Sequence, residues 1–350
     1  MAVKRSEEAF SAASLRSPRL GGCISAGAIA HPPLCPAKPA SYNFPMATEG
    51  LKLAVSASAL GDDPRQSPKR SQRLGFSGIA FNAFSNTLNL PDLSTSGRRE
   101  FRHLLSSQNQ QLAGIWADLG PKGFRPGADV DRLLDRLDKV LETAKGLAAP
   151  AVSLDVGPLP PAPRAAPPKP KVTPEMAGAI LLPTFTDAAP APESTNLDHI
   201  PAQVDPTFAA QVDAALADFG QRADRYGVTV ALRSDLADFA SLERALRRAD
   251  CPWFGVDLDP VAILRDEWDA DEAFSRLGPL IRHVRGRDAT GGAGHRTKPA
   301  VIGQGDTDWR QFLARLDDAG YQGWITLDPL ELPDRAAAAE AGKKWIEKAR

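Results

Sequence analysis

The chain has 350 residues, 43% of them hydrophobic and 24% charged, and its formal net charge is −1. This composition is ordinary for a globular protein, and the chain is long enough to bury a large core. The near-neutral charge argues against a dedicated nucleic-acid-binding protein, which usually carries a basic surface. No apolar run approaches the roughly 18 residues of a membrane-spanning helix. We therefore expect a cytoplasmic protein whose partner is neither nucleic acid nor a membrane.

The number and spacing of the cysteines also favour a cytoplasmic protein. Cys23, Cys35 and Cys251 are odd in number and show no Cys-x-x-Cys spacing. This pattern argues against a disulfide framework and against a cysteine-based zinc site, and it favours a reducing compartment.

Residues 1–45 differ in composition from the rest of the chain, with basic and serine residues and few acidic ones. Two interpretations remain open. The segment is either a targeting sequence or an extension upstream of a start at Met46, which leads directly into a strand-like run. In both cases we place the folded domain at residues 46–350.

From residue 51 onward, short β-like runs alternate with helical patterns. The clearest helix covers residues 129–149, where apolar side chains recur every three or four positions and Asp129 is a suitable N-cap. The predicted strands are 51–57, 78–84, 111–117, 151–156, 228–234, 253–259, 280–288 and 323–328. The predicted helices lie near 65–74, 95–108, 129–149, 207–226, 239–249, 269–277, 309–320 and 334–349. A glycine-rich loop, 291–308, is expected after the seventh strand.

A proline-rich stretch interrupts this alternation after the fourth strand. Eight of the seventeen residues from Pro158 to Pro174 are proline, which excludes a helix or a central strand. We expect an irregular or polyproline II insertion over residues 158–206. A solvated loop and a docking segment for an aromatic groove both remain open.

Eight strand–helix units in about 300 residues predict an α/β fold, a closed (β/α)₈ TIM barrel with that insertion after strand four. An open doubly wound sheet is the alternative, but no Gly-x-Gly-x-x-Gly follows the first strand. In such barrels the reacting groups lie at the carboxyl ends of the strands. Those ends offer Asp259, His283 and Asp328 as the leading candidates, with Trp116 as a possible pocket wall.

Four segments in the second half carry a resemblance to a known family. They are GVDLDP (255–260), IRHVRGRDA (281–289), VIGQGDTDW (301–309) and GYQGWITLDP (320–329), and GFSGIAF (75–81) fits the second strand. In this order they resemble the xylose isomerase-like TIM barrels of sugar phosphate isomerases and epimerases. The resemblance implies a divalent metal (Mn, Mg, Co or Zn) at the barrel mouth and proton transfer between adjacent sugar carbons through an enediolate.

Only some of the family's metal-ligand positions hold a suitable residue in this sequence. The resemblance places metal ligands at Asp259 and Asp328 and catalytic roles at Asp259, Asp328 and His283. Arg233 stands where the family has Glu, and Arg285 stands where it has His. A guanidinium has no lone pair to donate. At about 5 Å and an effective dielectric constant of roughly 20, its repulsion of a divalent ion costs on the order of 6 kcal/mol.

Two uses for these arginines remain open. They form an ion-pair network with Asp259 and Asp328 in place of the metal, or they bind an anionic ligand. The full set of predicted substrate-binding residues is Arg233, Arg285, Asp288, His295, Arg296 and Trp116, and Glu331 is close enough after strand eight to turn inward.

Two functions follow from these residues. The first is an isomerase or epimerase that acts on or binds a small sugar, polyol or sugar acid at the barrel mouth. The second is a non-catalytic, metal-free barrel that binds an anionic small molecule through Arg233 and Arg285. A DNA endonuclease of the related trinuclear zinc type would need many His ligands, and the chain has only five His.

Overall fold

Eight parallel strands close into a barrel, in the spatial order β1-β10-β7-β6-β5-β4-β3-β2. The computed structural model describes residues 52–61, 63–162, 205–292 and 296–349. The strands within these residues are β1 (Lys52–Ser56), β2 (Gly78–Asn82), β3 (Gln111–Asp118), β4 (Val152–Asp155), β5 (Val230–Arg233), β6 (Phe254–Leu258), β7 (Ile281–Gly286), β8 (Asp288–Gly292), β9 (Arg296–Ala300) and β10 (Trp324–Leu327).

Helices follow the barrel strands along the chain. Those of the described residues are α1 (Ser67–Arg73), α2 (Thr95–Ser107), α3 (Val130–Leu147), α4 (Pro206–Tyr226), α5 (Phe239–Ala249), α6 (Pro260–Arg265), α7 (Ala270–Leu277), α8 (Trp309–Asp318) and α9 (Arg335–Ala349). The predicted (β/α)₈ barrel is confirmed. The extension 1–45 and most of the predicted insertion, residues 163–204, lie outside the described residues.

Two local predictions were wrong. Residues 288–292 and 296–300 pair as an antiparallel two-stranded sheet, β8 with β9, where the sequence predicts a strand end and a loop. Its strands, DATGG and RTKPA, are short and polar and lack the alternating apolar pattern by which strands are predicted. The short helix α6 was also missed, although Asp259 caps it by accepting the Val261 N–H at 2.9 Å and Pro260 occupies its first turn.

The core lies between the barrel and its helices. In α3 the predicted apolar face is buried, with Leu137 and Leu141 both 0% exposed, and each such side chain contributes about 1.5–3 kcal/mol to folding. Asp129 accepts the Arg132 N–H at 3.1 Å at the start of this helix. In the described part of the chain, no helix has both the length and the apolar character needed to cross a membrane.

Close packing at β6 leaves no room for a side chain at position 255. A Cβ added to Gly255 would lie 2.1 Å from the carbonyl oxygen of Leu280. Since that oxygen belongs to the backbone, it cannot turn away as a side chain would.

We expect Gly255→Ala to destabilise the protein by about 1–3 kcal/mol, because the strand must shift to admit the methyl group. Urea unfolding followed by far-UV circular dichroism measures the change. Gly97→Ala in α2 is the matched control, since a Cβ there meets side chains and no backbone, Leu93 at 3.3 Å and Ser94 at 3.5 Å. Equal stability of the two variants would contradict the packing argument.

Candidate functional site at the barrel mouth

Charged side chains converge at the carboxyl ends of the strands, where the sequence predicts the site. Because parallel strands end at one rim of the barrel, residues far apart in the chain meet there. The residues that meet are Asp155, Arg233, Asp235, Asp257, Asp259, His283, Arg285, Arg287 and Asp328.

Arg233 is fully engaged by two aspartates. Its Nη1 donates to Asp155 at 2.9 Å, while its Nε and Nη2 form a two-pronged pair with Asp235 at 2.9 and 2.5 Å. Burial raises the pKa of Asp235, but the neighbouring guanidinium of Arg233 outweighs burial and holds that pKa well below the usual range. Burial raises the pKa of Asp155 in spite of Arg233. The alternative of a network with Asp259 and Asp328 does not hold for Arg233, because each of its three guanidinium nitrogens donates to Asp155 or Asp235.

Asp259 pairs instead with Arg287, which was not among the residues predicted from the sequence. The Nε of Arg287 donates to Asp259 Oδ2 at 2.7 Å, and its Nη2 lies 3.1 Å from Asp235. The Arg287 Nη1 also reaches Glu331 at 3.3 Å. Burial raises the pKa of Asp259, although Arg287 opposes the shift. The only signal for Arg287 in the sequence is its position two residues beyond Arg285, on the same face of an extended chain.

A buried chain of polar groups crosses the barrel interior below the mouth. His283 Nδ1 lies 2.6 Å from Asp257 Oδ1, and His283 Nε2 lies 2.8 Å from Thr326 Oγ1. Ser153 donates to the other oxygen of Asp257. Burial raises the pKa of Asp257, but His283 and then Arg285 outweigh it and lower that pKa. Both ring nitrogens of His283 therefore have protein partners.

Arg285 differs from the other two mouth arginines in its hydrogen bonding. Its guanidinium lies over the Trp116 ring, 5.3 Å from the centroid, as that of Arg233 does at 5.7 Å, and its Nε lies 3.5 Å from Asp328 and 4.0 Å from Asp257. Within the described residues, this guanidinium donates no hydrogen bond. Trp116 Nε1 and Asp328 Oδ1 are likewise buried without a hydrogen-bond partner.

These three groups line one cavity. Its volume is about 30 Å³, which is room for about two water molecules. His283, Thr326 and residues within or next to β1 to β4 form the rest of its wall. The cavity thus presents two kinds of unused donor, on Arg285 and Trp116, and one unused acceptor, on Asp328.

The donor set does not fit the divalent metal that the resemblance implies. Asp259 is bound by Arg287, and Asp328 lies beside Arg285. No group of three or more His, Cys, Asp or Glu in the part of the chain described here is arranged to hold a metal ion. Arg233 and Arg285 place positive charge at the remaining ligand positions, which opposes a cation.

The other predicted residues lie apart from the cavity. Asp288 accepts the N–H groups of Ala289, Gly303, Gly305 and Thr307 at 2.8–3.3 Å and so ties the 303–307 loop to the end of β7. Arg296 is exposed at the start of β9, and His295 is outside the described residues. Substrate contact by these residues stays a prediction.

We expect Arg233→Ala to cost about 3–5 kcal/mol at pH 7, because it leaves Asp155 without its cation and leaves Asp235 with Arg287 alone. The pKa of Asp235 is lowered in the folded protein, so its contribution is present above pH ~4 and is lost as the pH falls through the folded pKa. In the variant these carboxylates protonate more readily, so the difference from wild type should shrink towards pH 4. Urea unfolding at both pH values tests this.

The control is Lys344→Ala, since the side chains of Lys344 and its partner Glu340 are 71% and 40% exposed. This variant should lose less than about 1 kcal/mol. A cost for Arg233→Ala that does not change with pH would contradict the role given to these carboxylates.

Comparisons with known proteins agree with this architecture. A family model for the xylose isomerase-like TIM barrel matches residues 68–349. No curated protein sequence matches the chain.

Solved structures share the fold at low identity. A xylose isomerase domain protein from Planctomyces limnophilus has a TM-score of 0.60 and 16% identity, over 86% of this chain and 97% of its own. D-psicose 3-epimerase from Clostridium cellulolyticum H10, solved with D-tagatose, has a TM-score of 0.60 and 12% identity, over 85% and 99%. The IOLI protein, solved with a zinc atom, has a TM-score of 0.56 and 15% identity, over 85% and 96%. Because the family model spans most of the sequence, the chain belongs to the xylose isomerase-like TIM barrel family.

Proposed function

We propose that this protein binds a small neutral sugar or polyol at the barrel mouth through Arg285, Trp116 and Asp328, without a divalent metal. The observation that carries the proposal is the set of unpartnered polar groups on one cavity. A buried polar group without a partner costs about 1–3 kcal/mol. A ligand or water that satisfies these groups recovers that free energy.

The chemistry of the three groups suits hydroxyl groups. A hydroxyl accepts one hydrogen bond and donates another. It can therefore accept from the N–H groups of Arg285 or Trp116 while it donates to Asp328 Oδ1. Two hydroxyls replace about two water molecules, which is the capacity of the cavity. The rest of such a ligand would lie further out at the mouth.

The charge balance favours a neutral ligand over an anion. Three arginines (233, 285, 287) face five aspartates (155, 235, 257, 259, 328) at the mouth. An anion would not bind through Arg233 and Arg285 together, since Arg233 already pairs with Asp155 and Asp235. A sugar acid remains the second candidate, because the terminal nitrogens of Arg285 are free to pair with a carboxylate.

Isomerase or epimerase activity also stays a proposal. The epimerase among the structural neighbours belongs to the same fold. Asp328 is the only carboxylate among the described residues that line the cavity, so it would have to accept the substrate proton. Arg285 would have to stabilise the oxyanion that forms.

We expect titration calorimetry to detect neutral aldoses, ketoses or polyols in the presence of EDTA, with an affinity that added Mn²⁺ does not change. At the mouth, sugar acids should bind more weakly and sugar phosphates not at all, because the mouth carries more carboxylates than guanidinium groups. Strict dependence on a divalent ion, or a preference for phosphates that Arg285→Ala abolishes, would refute the proposal.

Arg285→Ala should weaken binding of the best ligand at least tenfold, or about 1.4 kcal/mol. Trp116→Phe keeps an aromatic side chain but removes the Nε1–H donor, so it should weaken binding by a smaller factor while the fold is retained. Arg99→Ala, an exposed arginine on α2, is the control and should bind as wild type. An unchanged affinity in both site variants would place the ligand elsewhere.

A further inference from the structure

A second, larger cavity lies between the end of β1, helix α1 and the start of α9; we call it the α1–α9 groove. Its volume is about 530 Å³, within the range of small-molecule sites. The polar residues on its wall are Ser58, Arg70, Arg73, Asp334 and Arg335. It shares no lining residue with the mouth cavity.

The groove is basic, whereas the mouth is acidic. Arg70, Arg73 and Arg335 line it with one carboxylate, Asp334. That carboxylate is partly committed, since its Oδ1 accepts the Ala337 N–H at 3.1 Å at the start of α9. None of the three arginines forms an ion pair with any residue that the structure describes, although every arginine at the mouth does.

One of these guanidinium groups is held in place by the backbone. Arg70 Nη1 donates to the Leu60 carbonyl oxygen at 2.6 Å. The chain turns at Gly61 with a φ of 95°, and a Cβ there would lie 3.0 Å from that same nitrogen. A side chain at this position would be strained and would crowd the guanidinium, so the glycine leaves room for Arg70.

The three arginines suit one kind of ligand. Like charges gathered on one cavity repel, and an anion between them removes that repulsion. A guanidinium binds phosphate oxygens through two parallel N–H groups, and a phosphate offers several terminal oxygens at once. The amino end of α9, a helix of 15 residues, adds partial positive charge on the same side.

We propose that the α1–α9 groove is a binding site for a phosphate-bearing small molecule, separate from the mouth site. The groove has room for a complete ligand of this class, while the mouth cavity has room only for a pair of hydroxyls. The two sites therefore select ligands of different charge.

The test uses inorganic pyrophosphate as the probe and the full chain at low, constant ionic strength, because exposed charge pairs are screened by salt. We expect saturable one-site binding by titration calorimetry. Arg73→Gln and Arg335→Gln should each weaken it several-fold, and the double variant at least tenfold. Both side chains are exposed, so the fold should be retained.

Two control variants show where the pyrophosphate binds. Arg99→Ala should leave pyrophosphate binding unchanged, and so should Arg285→Ala, which tests the mouth. If no saturable binding is found, or if Arg99→Ala weakens it as much as the groove variants, the proposal fails. If only Arg285→Ala weakens it, the anion binds at the mouth, and both the groove site and the neutral-ligand proposal are overturned.

Discussion

The mouth of this barrel depends on the pairing of buried arginines with aspartates. Arg233 and Arg287 share Asp235 between them, and each reaches one further aspartate on a neighbouring strand end. Charged groups this deeply buried are tolerated only when they are paired and hydrogen-bonded. The pairing therefore determines which polar groups at the mouth are used internally and which remain for a ligand.

The barrel could be predicted from the sequence because its signals are local. The alternation of β-like runs with helices such as 129–149 needs only nearest-neighbour patterns, and eight repeats leave few topologies open. The two-stranded sheet of β8 and β9 could not be predicted, since its polar, glycine-rich strands are held by backbone pairing and by Asp288 rather than by an apolar face.

The position of the site could be predicted from the sequence, but the ion pairs within it could be predicted only in part. Arg285 does lie beside Asp328, as the ion-pair interpretation expected. The partners that Arg233 and Asp259 have in the structure were not predicted, because which side chains meet across a barrel depends on register. The pairing of β6 with β7, for example, contains an irregularity between Val256 and Asp257, and a shift of one residue turns a side chain to the other face of a strand. No pattern in the sequence reports that shift.

Arg285, which stands where the family has a metal ligand, changes which ligands a barrel of this family can bind. A divalent ion draws in the oxygens of its ligand from several directions, whereas Arg285 is fixed against Trp116 and offers N–H groups in one plane. Its charge is also balanced by the nearby carboxylates of Asp257 and Asp328 without any ligand. Under the proposed function, selectivity at the mouth would then come from hydrogen-bond geometry rather than from net charge, which is the condition under which neutral hydroxyl groups compete best. An anion gains more where guanidinium groups have no carboxylate partner, and in the described part of this chain the α1–α9 groove gathers three of them.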